Sequence, residues 1–131
     1  MTRIVVPVRY PLTRHSRRTL GTAIDLAAER DASLTVLHVN LFQESRRVTR
    51  TDLKRAVERA FGTLPRTRYV VRRGFLVEQT ILDEVAAEGA DVVVIGGKQV
   101  SRWRRSLRRL LGDPDIEGFL NRELDCTVET V

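Results

Sequence analysis

Cysteine is almost missing from the chain. Cys126 is the only one, which excludes an internal disulfide and a thiolate zinc cluster and agrees with a reducing compartment. Histidine is nearly as scarce: His15 and His38 stand apart, with no His, Cys or carboxylate at ligand spacing, so no metal site is read. No apolar run approaches the roughly 18 to 20 residues that cross a bilayer. Met1-Thr2-Arg3 leads into the strand-like Ile4-Val5-Val6-Pro7-Val8 without a signal peptide's cleavage pattern. A cytoplasmic protein is expected. Repeats and low-complexity linkers are also lacking, and 131 residues with a 42% hydrophobic fraction fit one domain, 1–131. Lysine is rare too: of 23 basic residues only Lys54 and Lys98 are lysines.

One further absence is local. From Lys98 to Arg109 there are six basic residues and no acidic one, so this segment carries the formal excess of +6. It follows Asp91–Ile95, an apolar β-branched run too short for a helix, which Gly96-Gly97 ends as at the close of a buried strand; a loop is expected next. Within the basic segment Trp103, Leu107, Leu110 and Leu111 share one helical face, and Arg102, Arg104, Arg105, Arg108 and Arg109 take the rest. Such a stripe caps the domain's own core, rests on an anionic membrane surface or docks a partner. The first is the commonest use of a Trp and three Leu at this spacing, and it leaves the arginines facing outward.

The remaining elements follow from periodicity. Thr2–Val8 reads as a strand buried on both faces, the character of a parallel sheet. Leu20, Ala23, Ile24, Ala27 and Ala28 recur at helical spacing, with Thr13 or Ser16 as N-cap and an end near Arg30. Ser33–Val39 is a second strand. A helix starting near Thr51 or Asp52 carries Leu53, Ala56, Val57, Ala60 and Phe61, and Gly62 and Pro65 close it. Thr67–Val71 is a third strand ended by Arg72-Arg73-Gly74. Val77, Ile81, Val85 and Ala86 mark a third helix, which Gly89 stops before the Asp91–Ile95 strand. Asp115–Leu124 reads as helical and Cys126–Val131 as a last, edge strand. Alternating strands and helices with right-handed crossovers imply an open parallel sheet with helices on both faces. Ligands bind such a sheet outside the carboxyl ends of its strands, at the switch point of strand order. Arg9 after the first strand and Gly96 after the fourth would then line that crevice.

In sequence order, Ile4-Val5-Val6-Pro7-Val8, Ser16-x-x-Thr19-Leu20-x-x-Ala23, Leu34-Thr35-Val36-Leu37-His38-Val39, Ala90-Asp91-Val92-Val93-Val94-Ile95-Gly96 and Cys126-x-Val128 resemble the universal stress protein family over nearly the whole chain. The resemblance implies an α/β fold of the adenine nucleotide alpha hydrolase type: five parallel strands in the order 3-2-1-4-5, commonly dimeric through the last strand. Here that strand is Cys126–Val131, whose Val128 and Val131 are expected to be exposed, so a homodimer through it is expected.

Many members bind ATP with an acidic residue directly after the first strand and a loop G-x-x-G-x9-G-[S/T] after the fourth. Glycines there let backbone N–H groups approach phosphate, and the hydroxyl residue opens a helix. Carried onto this chain, the nucleotide site comprises Arg9, Val39, Gly96, Gly97, Lys98, Gly112 and Asp113. The chain departs from the family pattern at three points. Arg9 stands where the acid belongs, Gln99 stands at the second glycine, and Asp113 replaces the hydroxyl residue three positions late. ATP or another nucleotide is therefore a weakly supported ligand, and no cofactor is assigned.

The inferred topology gathers the basic residues at one sheet edge: Arg9, Arg14, His15, Arg46, Arg47, Arg72, Arg102, Arg104, Arg105, Arg108 and Arg109 form the candidate anion-binding set. Helix N-termini share that edge, so each arginine forgoes a few tenths to about 1 kcal/mol relative to an acid. Two readings stand, an anionic ligand or partner such as nucleotide, polyphosphate or nucleic acid, and a solvated, partly salt-bridged surface. His38 reads as a packed core residue. No nucleophile–base pair, paired carboxylates or H-x-G-H signature argues for hydrolysis or nucleotidyl transfer. The sequence thus points to a non-catalytic binding or regulatory module of the stress response. The alternative is an ATP-binding member with a lengthened phosphate loop and slow ATPase activity.

Overall fold

The chain is represented by a computed structural model, which describes residues 1–111, 122 and 125–131. The elements run β1 (Arg3–Pro7), α1 (Arg14–Arg30), β2 (Ser33–Leu41), α2 (Arg50–Phe61), β3 (Thr67–Gly74), α3 (Val77–Glu88), β4 (Val92–Ile95), α4 (Gly97–Leu111) and β5 (Thr127–Thr130). The strands pair in parallel in the order β3-β2-β1-β4-β5, as expected. The predicted helix at Asp115–Leu124 lies, Arg122 excepted, outside the described residues.

Period-two alternation divides the strand residues between two cores, which is why β1 and β4 read as unbroken apolar runs. Val5, Leu37, Val39, Val93 and Ile95 pack with Ile81 and Val85 of α3 and with Val100 and Trp103 of α4. Ile4, Val6, Leu34, Val36, Val92 and Val94 pack on the other face with Leu20 and Ala23 of α1 and Leu53 and Val57 of α2. Burying one such Leu or Val is worth about 1.5–3 kcal/mol.

The helix starts obey capping chemistry. Thr13 is the N-cap of α1, its hydroxyl accepting from the Ser16 N–H at 3.1 Å. α2 begins at Arg50, before the expected Thr51 or Asp52. Thr49 and Asp52 form a capping box there, satisfying two N–H groups reciprocally at 3.0 and 3.1 Å.

Three expectations need correction. β2 runs to Leu41 and β3 to Gly74 because their ladder continues through Leu41↔Gly74, so Arg72 and Arg73 lie within β3 and do not end it. No loop follows Gly96: α4 starts at Gly97, and the Gln99 and Val100 N–H groups both donate to the Gly96 carbonyl. Val128 and Val131 are half-buried rather than exposed, Val128 against the α3/α4 core and Val131 against the α1/α2 core.

A pair of carboxylates sits beside β3. Glu84 accepts from Arg72 Nε at 2.7 Å, and Glu88 accepts from the Thr35 hydroxyl at 2.7 Å and pairs with Arg68 at 3.0 Å. Burial pushes Glu88 above the ordinary range, and neighbouring Glu84 adds to it. Burial acts the same way on Glu84, but its hydrogen bond from Arg72, backed by Glu88 and the charges of Arg72 and Arg68, brings it below the ordinary range. Burial likewise pushes the Cys126 thiol up to about 11, leaving it a neutral core side chain.

Candidate functional site

The carboxyl ends of β1, β2 and β4 open into a cavity of about 570 Å³. It lies at the switch point between β1 and β4, from which the chain builds the sheet outward through β2 on one side and β5 on the other. Its wall begins with Pro7, Val8 and Arg9 leaving β1, adds Val39 and Leu41 from β2, and is completed by Gly96 and the first turns of α4. α1 contributes Thr13, His15, Ser16 and Thr19. Arg9 is held in place through its backbone, whose N–H donates to the Ser16 hydroxyl at 3.2 Å, so the α1 cap and the β1 exit are one hydrogen-bonded unit.

The charge in this cavity is lopsided. Arg9, Lys98 and Arg102 line it against a single carboxylate, Glu44, which accepts from Asn40 Nδ2 at 3.2 Å. The first turns of α1 and α4 hold no acid, so their positive ends are uncompensated. Two buried polar atoms in the lining have no partner among the described residues, His38 Nε2 and Gln99 Nε2. His38 Nδ1 lies 3.0 Å from the Val8 carbonyl. A carbonyl only accepts, so Nδ1 donates to it, and Nε2 is the ring nitrogen left toward the cavity. Gln99 offers donors.

Of the residues singled out in the sequence, the fold brings Arg9, His15, Val39, Gly96, Lys98 and Arg102 to the cavity. Gly96 is closely packed: a Cβ there would lie 3.2 Å from the Thr19 hydroxyl, which donates to the His15 carbonyl at 2.9 Å. Gly97 faces Val131 instead, its N–H donating to that carbonyl at 3.1 Å.

Arg14, Arg46, Arg47, Arg104 and Arg105 are exposed outside the cavity lining. Arg72 is engaged by Glu84. Arg108 and Arg109 fall on α4 but their side chains lie outside the described residues, as do Gly112 and Asp113. Sequence reasoning missed Tyr10 and Glu44 as lining residues, met Gln99 only as a departure from the phosphate-loop pattern, and placed His38 only in the core. Tyr10 and Gln99 each follow a strand exit by a few positions, a signal that proximity to Arg9 and Gly96 carried.

Ion pairing sorts the arginines. Among the described residues the pairs are Arg30–Glu129, Arg66–Asp31, Arg68–Glu88 and Arg72–Glu84. Arg9, Arg14, Arg46, Arg47, Arg104 and Arg105 take part in none of them. Among the described residues, these members of the basic edge therefore make no ion pair.

In comparisons with known proteins, none of the curated proteins matches the chain. Among solved structures, the universal stress protein UspA from Lactobacillus plantarum shares 19% identity, covering 99% of this chain and 97% of that one with a TM-score of 0.65. A universal stress protein from Archaeoglobus fulgidus shares 17% identity over 99% and 98% of the two chains, with a TM-score of 0.57. A universal stress protein solved in complex with cAMP shares 17% identity over 97% and 95%, also at 0.57. Those identities speak for the fold alone; the family model of the universal stress proteins matches residues 1–114, and the chain belongs to the universal stress protein family.

Proposed function

We propose that residues 1–131 act as one non-catalytic binding and regulatory domain in a stress response, holding a small anionic ligand of the nucleotide class in the crevice between Arg9 and Gly96. The observation that carries this is the cavity of about 570 Å³ at the switch point, lined by Arg9, Lys98 and Arg102 and by two unpartnered buried polar atoms. A neighbour of the same fold solved in complex with cAMP supports the ligand class. The family's way of holding ATP has little support. Arg9 takes the place of its acid, and α4 begins at Gly97 where a glycine loop would present N–H groups to phosphate. We further propose a cytoplasmic homodimer paired through the β5 edge.

The test is a thermal-shift and calorimetric screen of the intact protein with ATP, AMP, cAMP and polyphosphate. A ligand at a hundred times its Kd stabilises by about 2.7 kcal/mol, a shift of several degrees in Tm. A nucleotide or polyphosphate should produce it, Arg9→Ser and Lys98→Ser should each shrink it, and ATP should bind more weakly than about 10 μM, or −7 kcal/mol. Absence of any anion-dependent shift would sink the proposal. Stoichiometric ATP binding tighter than about 10 μM would instead favour an ATP-binding member with a lengthened phosphate segment.

A further inference from the structure

The chain has only four Phe, two Tyr and one Trp, and three of these rings stand at the basic edge of the sheet. Trp103 and Tyr69 are buried, whereas Phe42 and Phe75 are 46% and 71% exposed. The β2–β3 ladder brings the two together. Its last registered pair is Leu41↔Gly74, the Phe42 N–H donates to the Gly74 carbonyl at 2.9 Å, and Gln43 Nε2 donates to the Phe75 carbonyl at 3.0 Å. The rings lie 4.8 Å apart, tilted by 48°.

Arginines are laid on these rings. The Arg73 guanidinium sits 4.8 Å from the Phe42 centroid, and that of Arg46 sits 5.1 Å from the half-buried Tyr10 ring. Neither makes an ion pair among the described residues. Of the acids nearby, Glu44 is bonded to Asn40, Glu84 to Arg72, Asp83 to Gln79 and Asp52 to the Thr49 N–H, with the charge of Arg46 a minor influence on Asp52. Exposed rings beside Leu76, itself 57% exposed, would suit an apolar protein partner if the surroundings were neutral. They are cationic, with Arg46, Arg47 and Arg73 all exposed, and the occupant they complement is a polyanion that also offers flat apolar faces.

We infer that Phe42, Phe75, Arg73 and the adjoining Arg46–Tyr10 stack form a platform for single-stranded nucleic acid. Unpaired bases stack on the rings and the guanidinium planes, and the phosphates run along the arginines. A duplex hides its base faces and engages only the charges. The platform lies outside the crevice except at Tyr10, so it does not depend on the small ligand proposed above.

The experiment is fluorescence anisotropy of the intact protein with a labelled oligouridine of about twelve nucleotides and a duplex of equal length, titrated at several salt concentrations. The single strand should bind more tightly. Phe75→Ala and Phe42→Ala should each weaken it about fivefold or more, the lower end of what one stacked base contributes, while Phe75→Tyr should bind like wild type. Arg73→Glu should reduce the slope of log K against log salt by about 0.7 or more. Lys54→Glu, an equal charge change on an exposed α2 residue outside the platform, should leave that slope unchanged. Because both rings are exposed, the fold survives their removal, checked by circular dichroism. Equal binding of duplex and single strand, or unchanged affinity in both Phe→Ala variants, overturns the inference. So does Phe75-dependent binding to phosphatidylserine vesicles, or Phe75-dependent self-association, by a protein that ignores the oligonucleotide.

Discussion

Removing the Trp103 indole tests whether α4 is part of the folded core or a surface appendage. Trp103 is 1% exposed and Val100, one turn earlier, 4%; both pack among Ile81 and Val85 of α3 and Val93 and Ile95 of β4. Trp103→Ala deletes the largest fully buried side chain, a change that costs about 3–5 kcal/mol out of a total of about 5–15 kcal/mol for a domain. For a chain of this length that is a fall in Tm of roughly 10–20 °C. The indole N–H has no partner among the described residues, so Trp103→Phe loses area but no hydrogen bond and should cost distinctly less. As the only tryptophan, Trp103 is also the reporter. Its emission in wild type should resist acrylamide quenching, and its urea transition should coincide with that of far-UV circular dichroism, as one cooperative unit requires. Lys98 and Arg102 enter the crevice from the same helix, so the Ala variant should also lose part of any anion-dependent thermal shift. Quenching as ready as that of free indole, or a loss below about 1 kcal/mol in Trp103→Ala, would refute the docking of α4 and leave its apolar stripe for a membrane or a partner.

The carboxylate pair on α3 should write opposite signs into the pH profile of stability. Glu88 is raised in the fold, so its favourable contribution is present below its ordinary value of 4.5 and is lost as pH rises through the folded value; Glu84 is lowered, so its contribution is present above 4.5 and is lost as pH falls. Thermal melts should therefore show Glu88→Gln gaining on wild type as pH rises above about 4.5, and Glu84→Gln losing ground to wild type as pH rises toward about 4.5 from below; a difference constant with pH in both variants would refute this. The proposed dimer predicts a two-protomer mass in sedimentation equilibrium at micromolar concentration. The Thr127 and Val131 N–H groups donate to Asp91 and Ile95, so by alternation those of Val128 and Thr130 face the open edge. Thr130→Pro should yield a folded monomer, and either a wild-type monomer or a Thr130→Pro dimer would exclude this interface.

Sequence alone settled the elements whose signal is local. The β-branched runs of β1, β2 and β4 could only be strands buried on both faces, the α1 and α2 stripes recur every three to four residues, and Gly62 and Gly89 end their helices with positive φ as helix stops do. Strand order and the placing of Arg9 and Gly96 on one crevice came through the family resemblance, joined to the rule that ligands sit where strand order reverses.

Tertiary structure decided what depends on distant partners. Whether Arg72 is free for an anion turned on Glu84, twelve residues away on α3, and whether Gly96 opens a loop or a helix turned on the burial of Val100 and Trp103 against α3. The half-burial of Val128 and Val131 depends on two cores built by other elements. His38 could be read as a core residue from its strand, but that its Nε2 is left unpartnered in the crevice lining while Nδ1 donates to Val8, thirty residues away, is a tertiary fact. Periodicity reports which face of an element is apolar; it carries no record of which side chain from another element arrives opposite, and in this protein that arrival fixes which cations are left unpaired.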